Sequence, residues 1–267
     1  MLRVYGAAKS RALRTLWMVG ELGLEYDHKD FLPRSPGTKT PEYRELNPNG
    51  RVPTIDDDGF ILSESMAINF YLAKKHKSPL YPTTPQNEAL ALQWSLWETD
   101  RLDRQIVNYV RHSSELPEAE RKKDVAESSW KEVVESFDVL ETALTKSEWL
   151  AGPSFSVGDL NVASALYRAL FIDLKKWPRV EAWLNRCWDR PAAKKARAMR
   201  EQTARGAAVA ACRRRSCMRV RMPWRHAGGG SAHRRRVAGE DRRRRGGSRL
   251  RKGAGSVSAQ HRRQGQG

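Results

Sequence analysis

The chain has 267 residues and carries 49 Lys and Arg against 31 Asp and Glu, a formal net charge of +18 with a pI of about 10.2. Most of that charge lies at one end: residues 202–267 hold 18 Arg and one Lys against Glu240 and Asp241, a net of +17, which leaves +1 for residues 1–201. A near-neutral body with a basic extension excludes a uniformly basic nucleic-acid-binding domain, no run approaches the roughly 18 apolar residues of a membrane span, and Cys187, Cys212 and Cys217 are too scattered for a disulfide framework.

In chain order, Leu2–Tyr5 alternates as a short strand does, and Ser10 introduces a helical pattern at Leu13, Leu16, Trp17 and Gly20 that Gly23 ends. A second strand is predicted near Glu25–Asp30, then a loop with Pro33, Pro36 and Gly37 and a short helix near Pro41–Leu46. Arg51–Asp56 and Phe60–Ser63 flank Asp57-Asp58-Gly59 and read as a hairpin, followed by helix over Glu64–Lys75. The order is βαβ, then ββα. Pro79, Pro82 and Pro85 block a helix and mark a linker over residues 78–87.

Everything after the linker reads as helix. Asn87–His112 forms one, and three apolar stripes follow: Trp130 to Leu144, Leu160 to Leu174, and Val180 to Trp188. The expected architecture is a small mixed α/β domain over residues 1–77 joined to an all-helical bundle over 88–201. Residues 202–267 have only five Leu, Ile, Val or Phe and 11 Gly, too little apolar surface to offset chain entropy, so disorder is expected there. An extension so unlike the body suggests a shifted reading frame or an unrelated extension; its arginines would bind nucleic acid only non-specifically.

Three local signals fit one another. Ser10 stands at a helix N-terminus after strand one, where a hydroxyl and backbone amides can meet an anion. Val52-Pro53 opens the third strand as a turn, possible in cis, that leaves the Val52 amide and carbonyl free for an extended peptide. Glu64-Ser65 starts another helix, where amides and a hydroxyl await a carboxylate. Asp56-Asp57-Asp58 lacks the spacing of a calcium loop, and His28, His76 and His112 show no metal-ligand pairing, so no metal is expected.

The arrangement resembles the cytosolic glutathione transferase family at Asn47-Pro48-Asn49-Gly50-Arg51-Val52-Pro53-Thr54-Ile55 and Leu62-Ser63-Glu64-Ser65-Met66-Ala67-Ile68. It continues at Phe155-Ser156-Val157-Gly158-Asp159-Leu160, which looks like that family's capping box, and at Trp183–Ala192, which looks like its penultimate helix and the turn after it. The resemblance covers about residues 1–200 and implies a thioredoxin-like glutathione-binding domain followed by the helical domain. It implies a cytoplasmic detoxification enzyme, usually a homodimer, that ionises glutathione as co-substrate and conjugates its thiolate to an electrophilic, mostly apolar acceptor seated against Asn87–His112. Ser10 would donate to the sulfur, with Tyr5 the competing hydroxyl. Val52, positioned by Pro53, would pair with the cysteinyl backbone; Glu64 and Ser65 would hold the γ-glutamyl end; Lys39 would meet the glycyl carboxylate; and Arg51 stands where glutamine is often found. A non-catalytic module of the same fold, or a glutathione-dependent peroxidase, dehalogenase or isomerase, are the competing readings.

Overall fold

The computed structural model describes residues 1–202, so the expectation of disorder for the basic extension lies outside the described residues from residue 203 onward. The first half runs β1 (Leu2–Tyr5), α1 (Ala12–Glu21), β2 (Tyr26–Lys29), a 3-10 turn at Pro36–Lys39, α2 (Pro41–Leu46), β3 (Thr54–Asp57), β4 (Phe60–Ser63) and α3 (Ser65–Lys75). The strands form one sheet in the order β2-β1-β3-β4, with β1 parallel to β2 and antiparallel to β3, and with Val4 opposite Ile55. This is the expected βαβ-ββα order.

Alternation on β1 explains the layering. Leu2 and Val4 are buried with Ile55 against α1 and α3, which contribute Leu13, Leu16, Trp17, Ile68 and Leu72 to the core. Arg3 points the other way and donates to Asp56 at 2.6 Å. The acidic run at the hairpin is used locally: Asp56 also accepts from the Gly59 amide at 2.8 Å, and Asp57 accepts from the Tyr71 hydroxyl at 2.7 Å and from Lys75.

The second half contains α4 (Pro85–Trp97), a π turn (Glu98–Leu102), α5 (Asp103–Val110), a second π turn (Arg111–Glu115), α6 (Lys123–Ala143), α7 (Val157–Ala165), a 3-10 segment (Leu166–Phe171) and α8 (Pro178–Trp188). A further helix, α9, spans residues 191–202. Two differences from the sequence reading matter. The helix expected over Asn87–His112 begins at Pro85, where Thr84 accepts the Asn87 amide at 3.2 Å, and it is interrupted by the two wide turns. The stripe from Leu160 to Leu174 leaves α-geometry at Ala165, and the tighter 3-10 turn that follows carries Tyr167 and Arg168.

The capping box forms as its sequence suggests. Ser156 Oγ accepts the Gly158 amide at 3.2 Å, and Asp159 accepts the Ser156 amide at 3.1 Å. Asp159 also accepts from the Leu150 amide and the Trp183 indole, each at 2.9 Å, so one buried carboxylate ties α7 to α8 and to the preceding loop. The halves are joined by polar pairs inside an apolar seam. Asn69 donates to Asn161 at 2.8 Å, Asn161 to Ser95 at 3.0 Å, and Arg190 grips Glu21 through two bonds of 2.8 and 2.7 Å while Trp17 packs on Trp188.

Candidate active site

A cleft of about 760 Å³ is lined by the loop before α1, the turn before β3, the start of α3 and the helices of the second half. Ser10, Arg51, Val52, Pro53, Glu64 and Ser65 all line it, so six of the expected site residues, up to 55 positions apart in sequence, meet at one wall. Two do not. Tyr5 packs on Tyr43 and Phe31 at ring separations of 5.8 and 6.4 Å and is not among the lining residues. Lys39, exposed at the end of the 3-10 turn, does not line the cleft, and Arg34 and Lys9 do.

Ser10 caps the first turn of α1 although regular helix starts two residues later. Its hydroxyl accepts the Ala12 amide at 3.0 Å and donates to the Ala7 carbonyl at 2.7 Å. Accepting a bond from the helix end polarises the O–H, and its proton can turn from a carbonyl to a stronger acceptor in the cleft. Gly6, at φ +124, lets the loop pass against Val52: a Cβ there would lie 2.7 Å from the Val52 Cβ.

The Val52-Pro53 peptide is cis. Among the described residues no hydrogen bond engages the Val52 backbone. What fixes the turn is the residue before it: the Arg51 carbonyl accepts from Tyr43 Oη and from Asn47 Nδ2 at 3.1 Å, and both donors also reach Thr54 Oγ1, at 2.9 and 3.0 Å. A buried Tyr-Asn-Thr cluster therefore presents one unpaired backbone amide and carbonyl to the cleft, the arrangement that an extended peptide can pair with. At the start of α3, Glu64 is held at φ +70, a conformation that costs a non-glycine residue about 1–3 kcal/mol and is found most often where geometry serves function.

Beneath Ser65 lies a charged group that periodicity does not reveal. Arg14, only 3% exposed, donates to Ser65 Oγ at 3.3 Å, to both Glu98 oxygens at 3.2 Å and to Asp103 at 3.1 Å. Arg11 closes on Asp103 from the cleft side. Residues five apart on an α-helix would point about 140° apart at 100° each. The π turn, with the Asp103 amide bonded to the Glu98 carbonyl, brings both carboxylates onto Arg14.

Burial pushes the Glu98 carboxyl up, to about 8, while Arg14 pulls it back down. A carboxyl raised in the folded state binds its proton more tightly there than in the unfolded chain. Its contribution to stability is thus fully present below the unfolded value of about 4.3–4.5 and is lost as pH rises through about 8. The difference in unfolding free energy between the wild type and Glu98→Gln is therefore expected to fall between pH 5 and 8, by at most about 1.4 kcal/mol per pH unit, in denaturant melts at several pH values. The buried Cys187 thiol is pushed well up by burial, which makes it a packing group and no nucleophile. Among the described residues no group of three or more His, Cys, Asp or Glu could hold a metal ion, and no helix is long and apolar enough to cross a membrane.

A four-stranded βαβ-ββα unit with a cis-proline turn and an open helix N-terminus, packed against an all-helical half, defines a thioredoxin-like protein with a helical partner domain. Residues 1–74 match the family model "Glutathione S-transferase, N-terminal domain" and residues 117–186 match "Glutathione S-transferase, C-terminal domain". The chain is 30% identical over 193 residues to glutathione S-transferase D7 of Drosophila melanogaster, covering 69% of this chain and 83% of that protein. It is 31% identical over 159 residues to glutathione S-transferase GstB of Escherichia coli K12, covering 58% and 76%. A crystal structure of the theta class glutathione S-transferase from Xanthomonas axonopodis pv. citri with glutathione bound superposes with a TM-score of 0.69 at 30% identity, covering 73% of this chain and 96% of that one. The chain belongs to the glutathione S-transferase family.

Proposed function

We propose that the cleft binds glutathione along the Val52 edge, ionises its thiol at Ser10 and directs the thiolate at an electrophilic carbon. The single observation that carries this reading is the convergence of the Ser10 hydroxyl, the unpaired Val52 backbone and the α3 N-terminus on one wall. Val52 pairs with the cysteinyl unit. Ser65 and Glu64 take the γ-glutamyl end, and Arg51 with Arg34 or Lys9 takes the glycyl carboxylate in place of Lys39. In the reaction the thiol proton leaves to solvent, the sulfur forms a bond to carbon, and the leaving group departs with its electron pair.

Residues 1–77 serve as the glutathione-binding domain, 78–84 as the linker, shorter than the 78–87 expected because α4 starts at Pro85, and the helices from there to residue 201 as the domain that receives the acceptor. The protein works in the cytoplasm as a homodimer. Exposed Phe60 at the hairpin, and Leu92 and Leu96 one turn apart on α4, supply apolar surface for that pairing.

The test is retention of the full chain on immobilised glutathione together with conjugation of 1-chloro-2,4-dinitrobenzene. Absence of both would leave a non-catalytic module. Ser65→Ala is expected to raise the KM for glutathione about tenfold with kcat within about threefold, since it removes one hydrogen bond to a carboxylate far from the sulfur.

A further inference from the structure

The helical wall of the cleft carries cations that the glutathione reading does not use. Arg104, Val107 and Arg111 are spaced as one face of α5 and the turn after it, and all three line the cleft. Among the described residues neither Arg104 nor Arg111 has an ion-pair partner, whereas Arg168 beside them is held by Glu115 through bonds of 3.1 and 3.3 Å.

Arg200 on α9 is the more telling residue. It is 8% exposed, lines the same cleft, donates to the Ala8 carbonyl at 3.1 Å, and lies with its guanidinium 4.5 Å from the centroid of the Tyr167 ring. No carboxylate pairs with it among the described residues. Burial, reinforced by the Arg168 charge, lowers the affinity of this guanidinium for its proton. A guanidinium this far from water is costly unless an anion faces it. The acidic groups nearby do not serve: Asp103 is taken by Arg11 and Arg14, and Glu115 by Arg168.

We infer that the acceptor substrate carries an oxyanion, such as a carboxylate, on an apolar ring-sized body, with the body against Val107 and Tyr167 and the anion at Arg200, Arg104 and Arg111. The inference rests on the glutathione reading, because it places the acceptor across the cleft from a thiolate at Ser10. It narrows a mostly apolar electrophile to one with an anionic group at the end remote from the reacting carbon. Arg200 also holds the Ala8 carbonyl, two residues before Ser10, so it couples the anion site to the thiolate loop.

The experiment uses two conjugates that need no turnover, S-benzylglutathione and S-(4-carboxybenzyl)glutathione, titrated calorimetrically into the full chain. The carboxylated compound is expected to bind about tenfold tighter at low salt, with the ratio shrinking as salt rises. Arg200→Gln and the exposed pair Arg104→Gln/Arg111→Gln should each bring the ratio to within about threefold; the exposed pair keeps the test open should the buried change impair folding. The basic extension is common to all variants and cancels in the comparison. A wild-type ratio near one, or a ratio that survives both sets of substitutions, overturns the anion site while S-benzylglutathione binding upholds the glutathione reading. Binding of neither compound overturns both.

Discussion

Ser10→Ala is expected to lower kcat/KM for thioether formation about 100-fold and to move the acid limb of its pH profile up by about two units, toward the free-thiol value near 8.5. Lowering a thiol pKa by two units requires about 2.7 kcal/mol, and a hydrogen bond to a charged acceptor contributes about 1.5–3, with about 0.3–1 more from a helix N-terminus. In the proposed role Ser10 would supply the first and α1 the second. Its oxygen already accepts the Ala12 amide, so reorienting the proton from the Ala7 carbonyl to sulfur exchanges an ordinary bond for a charge-assisted one without moving the backbone. The ultraviolet absorbance of bound thiolate, titrated with pH, reads the same shift without turnover. Tyr5→Phe should change either quantity by no more than about threefold, because the ring packs with Tyr43 and Phe31 and does not line the cleft. Loss of activity in Tyr5→Phe with retention in Ser10→Ala would reverse the two roles.

Most of the fold was legible because its signals are local. Val4 and Ile55 alternate with polar neighbours, and Ser156 with Asp159 spells a cap, each acting within a few residues; the turn expected at Asp57-Asp58-Gly59 formed at Asp58-Gly59, with Asp57 taken into β3 opposite Phe60. The π turns were not legible. Neither has Gly or Pro to mark it, and the one between α4 and α5 has a tertiary setting: it brings two carboxylates, Glu98 and Asp103, onto Arg14. The same distinction divides the site. Val52-Pro53 and Glu64-Ser65 are read from their motifs, whereas Lys39 and Arg34 lie in one loop of ordinary composition, and only the chain path decides which cation faces inward. Arg200 shows why a basic stretch resists reading: nothing local separates it from Arg197, which pairs with Glu201 at the surface, yet it is buried against Tyr167 and Ala8.

Arg14→Leu is expected to cost about 3–5 kcal/mol of stability at pH 8, the penalty for leaving buried carboxylates without their cation. Arg14 had a weak signal: it interrupts the apolar face of α1 beside Leu13 and Trp17, four residues after Ser10, where a solvated arginine would be out of place. The size of the loss should depend on pH in a definite sense. Without Arg14 the Glu98 carboxyl is pushed up further, so the variant still holds it protonated at pH 8, where the wild type, titrating at about 8, begins to gain from ionising it against Arg14; near pH 5 both hold it protonated. The penalty in denaturant melts is therefore larger at pH 8 than at pH 5. Arg14→Leu/Glu98→Gln should recover part of the loss, because a neutral amide needs no proton taken up on folding at pH 8, and that non-additivity distinguishes an electrostatic group from a simple packing defect. Function should follow by another path. Ser65 loses the donor that fixes its hydroxyl, so the KM for glutathione is expected to rise, whereas kcat, which the proposal assigns to Ser10 on the other helix end, should change less.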